Sequence, residues 1–209
     1  VIDDMSVKVK ICGITSPDQA DIAQSAGTDA LGLVIYPKSP RYVNLKEAQN
    51  IRKNINSNCL CVTLLVNADA TLVSNVIKEL KPDLLQFHGN ESPSFCHQFK
   101  YPFIRAVRMQ QGLDLSSIIK SYCPKGGFLF DSWDKTKYGG TGTSFDWTAL
   151  PKKRNFSLIL AGGLVPENVR DAIKVVRPDM VDVSSGVEYS PGRKDPELVA
   201  QFIKIAKSI

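Results

Sequence analysis

No apolar run in this chain approaches the roughly 20 residues that span a bilayer. Its first residues, Val1-Ile2-Asp3-Asp4, have neither the basic nor the apolar part of a secretory signal. The expectation is a soluble cytoplasmic protein without a membrane partner. Arginine-rich runs and basic stripes are missing too. The lysines are dispersed and the formal net charge is only +5, a mild excess that suits a small anionic substrate and argues against nucleic acid. Paired C-x-x-C motifs are absent. Cys12, Cys59, Cys61, Cys96 and Cys123 are odd in number and scattered, which excludes a disulfide framework, and Cys59, Cys61 and Cys96-His97 match no zinc spacing. No metal is expected. A starting methionine is also lacking, which leaves open whether residues were trimmed or whether the chain is part of a longer one.

What is present is ample core material. Of 209 residues, 43% are hydrophobic and 22% charged, the balance of a globular protein of ordinary single-domain size. Lys8-Val9-Lys10-Ile11-Cys12-Gly13 reads as a strand running into a glycine turn. Alternate residues share a face, so Lys8, Lys10 and Cys12 point one way and Val9 and Ile11 the other. A lysine two residues before a cysteine favours the thiolate, the form that acts as base or nucleophile; the plainer alternative makes Cys12 a small apolar filler.

Further strands are predicted at about residues 30–36, 60–66, 84–88, 103–108, 127–131, 157–161 and 180–184. Helices are predicted at about 17–26, 45–54, 70–80, 93–99, 113–122, 145–150, 166–176 and 196–207. The first opens on Ser16-Pro17 in N-cap and first-turn positions. Eight strand–helix units at a spacing of about 25 residues predict an α/β fold, a single (β/α)8 TIM barrel over residues 1–209. The competing open doubly wound sheet would carry G-x-G-x-x-G after its first strand, which this chain does not.

In a barrel, chemistry gathers at the carboxyl ends of the strands. Those ends read Cys12-Gly13, Tyr36 with Arg41 beyond, Val66-Asn67, His88-Gly89, Arg105 with Arg108, Asp131-Ser132, Ala161-Gly162-Gly163 and Ser184-Ser185-Gly186. Gly162-Gly163 and Ser184-Ser185-Gly186 together predict a phosphate cradle. Asp131 ends an apolar strand, where desolvation favours its protonated form; with Cys12 it makes a candidate acid/base pair for an isomerase. His88 is predicted to point inward with Gln86, as a second acid/base group or as a loop-fixing residue. Arg41 is a candidate for a substrate carboxylate. Tyr138–Ser144, rich in glycine, suggests a flap.

Lys10-Ile11-Cys12-Gly13-Ile14-Thr15, Tyr36-Pro37-Lys38-Ser39-Pro40-Arg41-Tyr42, Gln86-Phe87-His88-Gly89, Phe130-Asp131, Gly139-Gly140-Thr141-Gly142 with Phe145-Asp146-Trp147, Ala161-Gly162-Gly163-Leu164 with Pro166-Glu167-Asn168-Val169, and Val181-Asp182-Val183-Ser184-Ser185-Gly186-Val187-Glu188 together resemble the phosphoribosylanthranilate isomerase family of tryptophan biosynthesis. The match runs in order along nearly the whole chain, departing where Phe87 replaces a leucine. The resemblance implies a cofactor-free Amadori rearrangement of a small phosphorylated substrate by a monomer or homodimer. By position, Asp131 is its general acid and Cys12 its general base. Arg41 would contact the anthranilate carboxylate, Gly163, Ser184 and Ser185 the phosphate, and His88, Gly162, Asp182 and Gly186 would complete the substrate site. Indole-glycerol-phosphate synthase would instead need a catalytic lysine and paired glutamates, and the histidine-pathway isomerase an aspartate in place of Cys12. A catalytically silent binding barrel would have lost Cys12 or Asp131.

Overall fold

The computed structural model describes residues 7–110, 112–132 and 145–209; the suggested flap, Tyr138–Ser144, lies outside them. Eight parallel strands close into a barrel in sequence order: β1 (Lys8–Cys12), β2 (Ala30–Ile35), β3 (Leu60–Leu65), β4 (Leu84–Phe87), β5 (Phe103–Met109), β6 (Phe128–Ser132), β7 (Leu158–Leu160) and β8 (Met180–Val183). Pairing of β1 with β8, from Lys8 opposite Met180 to Ile11 opposite Val183, closes the sheet and excludes the open alternative. Helices α1 (Pro17–Ser25), α2 (Leu45–Arg52), α3 (Ala70–Asn75), α4 (Pro93–His97), α5 (Leu115–Tyr122), α6 (Val169–Val176) and α7 (Pro196–Ala206) surround it. No helix among the described residues is long and apolar enough to cross a membrane.

Side-chain caps fix where most loops end. Ser16, Asn44, Asp69, Ser92, Asp114 and Asp195 each accept a backbone N–H in the first turn of the following helix, which satisfies donors the helix cannot pair itself. The predicted helix over 70–80 divides: α3 passes into a π-helical turn, Val76–Leu80. The segment near 145–150 is a single 3₁₀ turn, Trp147–Ala149. A short hairpin after β8, β9 (Glu188–Ser190) with β10 (Arg193–Lys194), was not foreseen.

Alternation along the strands builds two cores. Ala30, Val62, Ile104, Ala106, Leu129, Ile159 and Met180 fill the barrel interior, while Val9, Ile11, Leu31, Leu85, Phe130 and Val181 face the helices. Phe87, where the resemblance departs, is one of the outward set: its ring packs edge-on to Phe95 at 6.1 Å and Phe103 at 5.5 Å. The larger side chain is therefore accommodated away from the strand-end chemistry.

The same parity corrects one expectation. Arg105 lies between inward Ile104 and Ala106, so it points out of the barrel. There its Nη1 pairs with Glu91 Oε2 at 2.8 Å, its Nη2 donates to Gly89 O, and its guanidinium lies 4.7 Å from the centre of the Tyr122 ring. Glu91 also accepts from the backbone N–H groups of Asn67 and Gly89. Arg105 is thus a clasp that holds the ends of β3 and β4. Removing one partner of a buried pair leaves an uncompensated charge, so Arg105→Met is expected to cost about 3 kcal/mol. That is a fall in Tm of about 6–12 °C for a chain this size, read by calorimetry; an unchanged Tm would refute the clasp.

Candidate active site

The carboxyl ends of the strands open into a cavity of about 320 Å3. Cys12, Arg41, His88, Asp131, Gly162, Gly163, Asp182, Ser184, Ser185 and Gly186, brought from five strand ends and the loop after β2, all line it. Tyr36, Lys38, Ser39, Pro40 and Pro191 complete the rim. Sequence separation explains why a barrel is needed: Cys12 and Ser184 are joined by a bond from Ser184 Oγ to the Cys12 carbonyl, 3.0 Å, across 172 residues.

Cys12 ends β1 and is buried against Val34, Leu64 and Val66. Burial pushes its thiol pKa up; the Lys10 charge pulls it down, Asp182 adds to the rise and Lys194 opposes it, and the net shift is upward. The lysine acts in the expected direction, but desolvation outweighs it. Cys59, pushed to about 11, and Cys61 and Cys96, pushed to about 12 by burial, do not line the cavity.

Lys10 itself is fully buried and does not reach the mouth. Its Nζ meets Asp182 Oδ1 at 2.9 Å, as their register opposite one another on β1 and β8 requires. Burial alone would lower the Lys10 pKa, but Asp182 and Cys12 together raise it, so the ammonium persists. Asp182 therefore both lines the cavity and holds a cation beneath it.

On the opposite side, Asp131 is buried at the end of β6, its Oδ1 accepting from the Ser132 N–H at 2.8 Å. His88 Nε2 lies 3.2 Å from Asp131 Oδ2. The approach is off the line of a straight hydrogen bond, and Nε2 is otherwise without a partner. Gln86 Nε2 is 2.9 Å from His88 Nδ1. With the amide nitrogen as donor, Nδ1 accepts and the neutral ring carries its hydrogen on Nε2, facing Asp131. His88 thus points inward with Gln86, as expected.

Arg41 is buried rather than solvated. Its Nε and Nη2 grip Glu188 Oε1 and Oε2 at 2.8 and 2.7 Å, leaving the Nη1 corner outside that pairing. Buried Lys194 holds the same carboxylate at 2.7 Å and donates to Ser184 O at 3.0 Å. Burial would raise the Glu188 pKa, but Arg41 and Lys194 reverse it and hold it below the usual carboxylate range. The unforeseen hairpin supplies both Glu188 and Lys194, and thereby ties the β2 loop to the β8 loop.

Gly162 and Gly163 adopt φ of +84° and +65°. A Cβ at Gly162 would come within 2.5 Å of the Ser132 nitrogen and 3.0 Å of Asp131 Oδ1, so the bare backbone also makes room for Asp131. Asn168 has no capping bond to α6; instead it accepts from Val165 N–H and donates to Gly163 O at 2.8 Å, pinning the glycine loop. Its position after Gly-Gly-Leu-x-Pro-Glu was visible in the sequence, but its direction was not.

The arrangement can do three things. It offers backbone and hydroxyl groups at two adjoining loops for an anion, a guanidinium corner for a second anion, and a thiol and a carboxyl on different strands between them. Residues 9–205 match the family model described as N-(5'-phosphoribosyl)anthranilate (PRA) isomerase. The chain is 43% identical over 203 residues to N-(5'-phosphoribosyl)anthranilate isomerase of Neisseria meningitidis, covering 97% of this chain and 98% of that one. It superposes on crystal structures of phosphoribosylanthranilate isomerase from Thermotoga maritima (TM-score 0.88, 37% identity, 97% and 100% covered) and of a phosphoribosylanthranilate isomerase in complex with reduced 1-(o-carboxyphenylamino)-1-deoxyribulose 5-phosphate (TM-score 0.86, 36% identity, 97% and 100% covered).

Proposed function

The chain belongs to the N-(5'-phosphoribosyl)anthranilate isomerase family, an aldose–ketose isomerase of tryptophan biosynthesis, and from that premise we propose how its own residues carry the reaction. The substrate is N-(5-phosphoribosyl)anthranilate and the product is 1-(2-carboxyphenylamino)-1-deoxyribulose 5-phosphate. The observation that supports this most is that Cys12 and Asp131 share one cavity with two anion-ready regions, the loops at Gly163 and Ser184–Gly186 and the corner of Arg41. A substrate carrying a phosphate at one end and a carboxylate at the other spans them.

Asp131 donates its proton to the ribose ring oxygen while the C1–O bond breaks, and the anthranilate nitrogen's lone pair forms the C1=N bond of a protonated Schiff base. The ring oxygen keeps the proton as a hydroxyl. Cys12, as thiolate, then takes the proton from C2; the C–H electrons form C1=C2 and the C=N pair returns to nitrogen, giving a neutral enolamine. Tautomerisation moves the enol proton off C2–OH and places one on C1, giving the ketone. His88, its Nε2 3.2 Å from Asp131 Oδ2, flanks the acid, while Arg41 fixes the anthranilate carboxylate. The proton transfers use groups already at the cavity wall, and because C2 is oxidised as C1 is reduced within the one substrate, the electrons balance internally.

The test is the loss of anthranilate-type fluorescence when phosphoribosylanthranilate, generated in situ, meets the protein. Rapid, saturable loss is the expected result. A folded protein that leaves the signal unchanged would overturn the reading.

A further inference from the structure

The guanidinium of an arginine carries five N–H donors in one plane. In Arg41, Glu188 takes two of them, accepting from Nε at 2.8 Å and from Nη2 at 2.7 Å. The far edge of the fork is left, with both N–H groups of Nη1 and the second of Nη2, and that edge is itself a bidentate carboxylate site. Arg41 lines the cavity and Glu188 does not, so the gripped edge is turned to the wall and the free edge is the one a ligand can meet. The stem is held as well. A Cβ at Gly13 would run into Arg41 Cδ, so the side chain lies against bare backbone just beyond Cys12, and Ser39 Oγ accepts from the Arg41 N–H at 3.1 Å.

Behind Glu188 stands Lys194. Its Nζ meets Glu188 Oε1 at 2.7 Å and donates to Ser184 O at 3.0 Å, and it too lies outside the cavity lining. The side chains of Glu188 and Lys194 are only 3% and 0% exposed. Burial lowers the Lys194 pKa and Glu188 opposes the fall, while Lys194 helps to hold the Glu188 carboxyl ionised. Alone, the carboxylate would cancel much of the charge on Arg41. Shared with Lys194, it leaves the guanidinium charge for a second anion.

We propose that Glu188 and Lys194 are positioning residues for the carboxylate end of the substrate: Glu188 fixes which edge of Arg41 faces the cavity, and Lys194 keeps Glu188 in place. One chain of contacts, from Arg41 through Glu188 and Lys194 to Ser184 O, then sets the carboxylate site at a fixed distance from the loop proposed to take the phosphate. A ligand without the carboxylate leaves the free edge of a buried guanidinium unpaired, so the site selects against it. The inference rests on the isomerase reading and extends it to two residues behind the cavity wall. A clasp that only tied the β2 and β8 loops would use the same contacts but would not discriminate between ligands.

The test compares two ligands by titration calorimetry: reduced 1-(o-carboxyphenylamino)-1-deoxyribulose 5-phosphate, and the same molecule with phenyl in place of carboxyphenyl. Wild type is expected to prefer the first. In Glu188→Gln that preference is expected to shrink about tenfold, with affinity for the phenyl ligand within about twofold of wild type. Lys194→Met is expected to weaken both ligands, the carboxylated one more, because it also frees Ser184 O. Since Glu188 acts through Arg41, adding Glu188→Gln to Arg41→Met should lower the preference no further. Equal weakening of both ligands in Glu188→Gln, an unchanged preference, or a further loss on top of Arg41→Met would overturn the proposal. Should Glu188→Gln not fold, Glu188→Asp, which keeps the charge but is too short to grip both nitrogens, carries the same comparison with the same expected loss. Binding needs no turnover. A wild type that prefers the carboxylated ligand yet leaves phosphoribosylanthranilate unchanged would sink the isomerase reading and keep the positioning; one that turns the substrate over without that preference would do the reverse.

Discussion

Cys12→Ser and Asp131→Asn are each expected to lower kcat by roughly a hundred- to ten-thousandfold, the range a single general acid or base supplies, with far smaller changes in KM. Serine keeps the shape of the cysteine but not a side chain that ionises in the working range, so the proposed proton removal from C2 would lose its base. Asparagine keeps the contact to the Ser132 N–H but has no proton to give the ring oxygen. Neither side chain is a support of the fold. The bond that ties β1 to β8 uses the Cys12 carbonyl, and the Asp131 neighbourhood retains Gln86–His88. Thermal melting should therefore move little. The double variant should be scarcely slower than the worse single variant, because the two groups act in one sequence and their losses do not add.

The pH dependence follows from the same geometry. Burial raises the Cys12 pKa above that of a free thiol despite Lys10. The thiol is therefore ionised only as pH rises past the ordinary thiol range, and its alkylation by iodoacetamide, read on the Cys12 peptide by mass spectrometry, is expected to keep accelerating on the alkaline side of that range. A rate that levelled off within that range would refute the upward shift. Retention of activity within tenfold in Cys12→Ser or Asp131→Asn would assign that residue's role elsewhere.

How legible all this was depends on whether a feature is local. Apolar strands, capping residues and glycine breaks are written within a few residues of where they act, and from them come the eight strands, the barrel and most of the polar residues at its mouth, whereas Asp182 entered only through the family resemblance. Parity was available for Arg105 as well: it alternates with Ile104 and Ala106, and that alternation points it outward. The shared face of Lys10 and Cys12 was correct, but the partner that keeps Lys10 in the interior, Asp182, is 172 positions away. Glu188 and Lys194 look like surface residues of a Pro191-Gly192 turn until the hairpin folds them under Arg41, 147 residues from Glu188 in sequence. Periodicity carries no record of such partners, nor of the balance between burial and charge that decides the Cys12 thiol.

Gly186→Ala is expected to raise KM by roughly ten- to a hundredfold, more than it lowers kcat. A Cβ there would lie 1.9 Å from the Leu164 carbonyl oxygen and 3.1 Å from Val165 Cγ1. The first of these is backbone and cannot rotate away, so the loops after β7 and β8 must part. The β7 loop resists, because Asn168 holds it at Gly163 O and Val165 N–H; the β8 loop resists, because Lys194 holds Ser184 O. Overpacking of this kind costs about 1–3 kcal/mol, and each 1.4 kcal/mol lost from binding is about tenfold in affinity. That cost falls on the region proposed to take the phosphate, whereas Cys12 and Asp131 are carried by β1 and β6 and stay closer to their places. Inorganic phosphate should accordingly weaken as a competitive inhibitor in the same proportion as KM rises. If KM and phosphate inhibition both stayed at wild-type values while kcat fell, the two loops would serve the reacting groups, and the phosphate would have to be held elsewhere in the cavity.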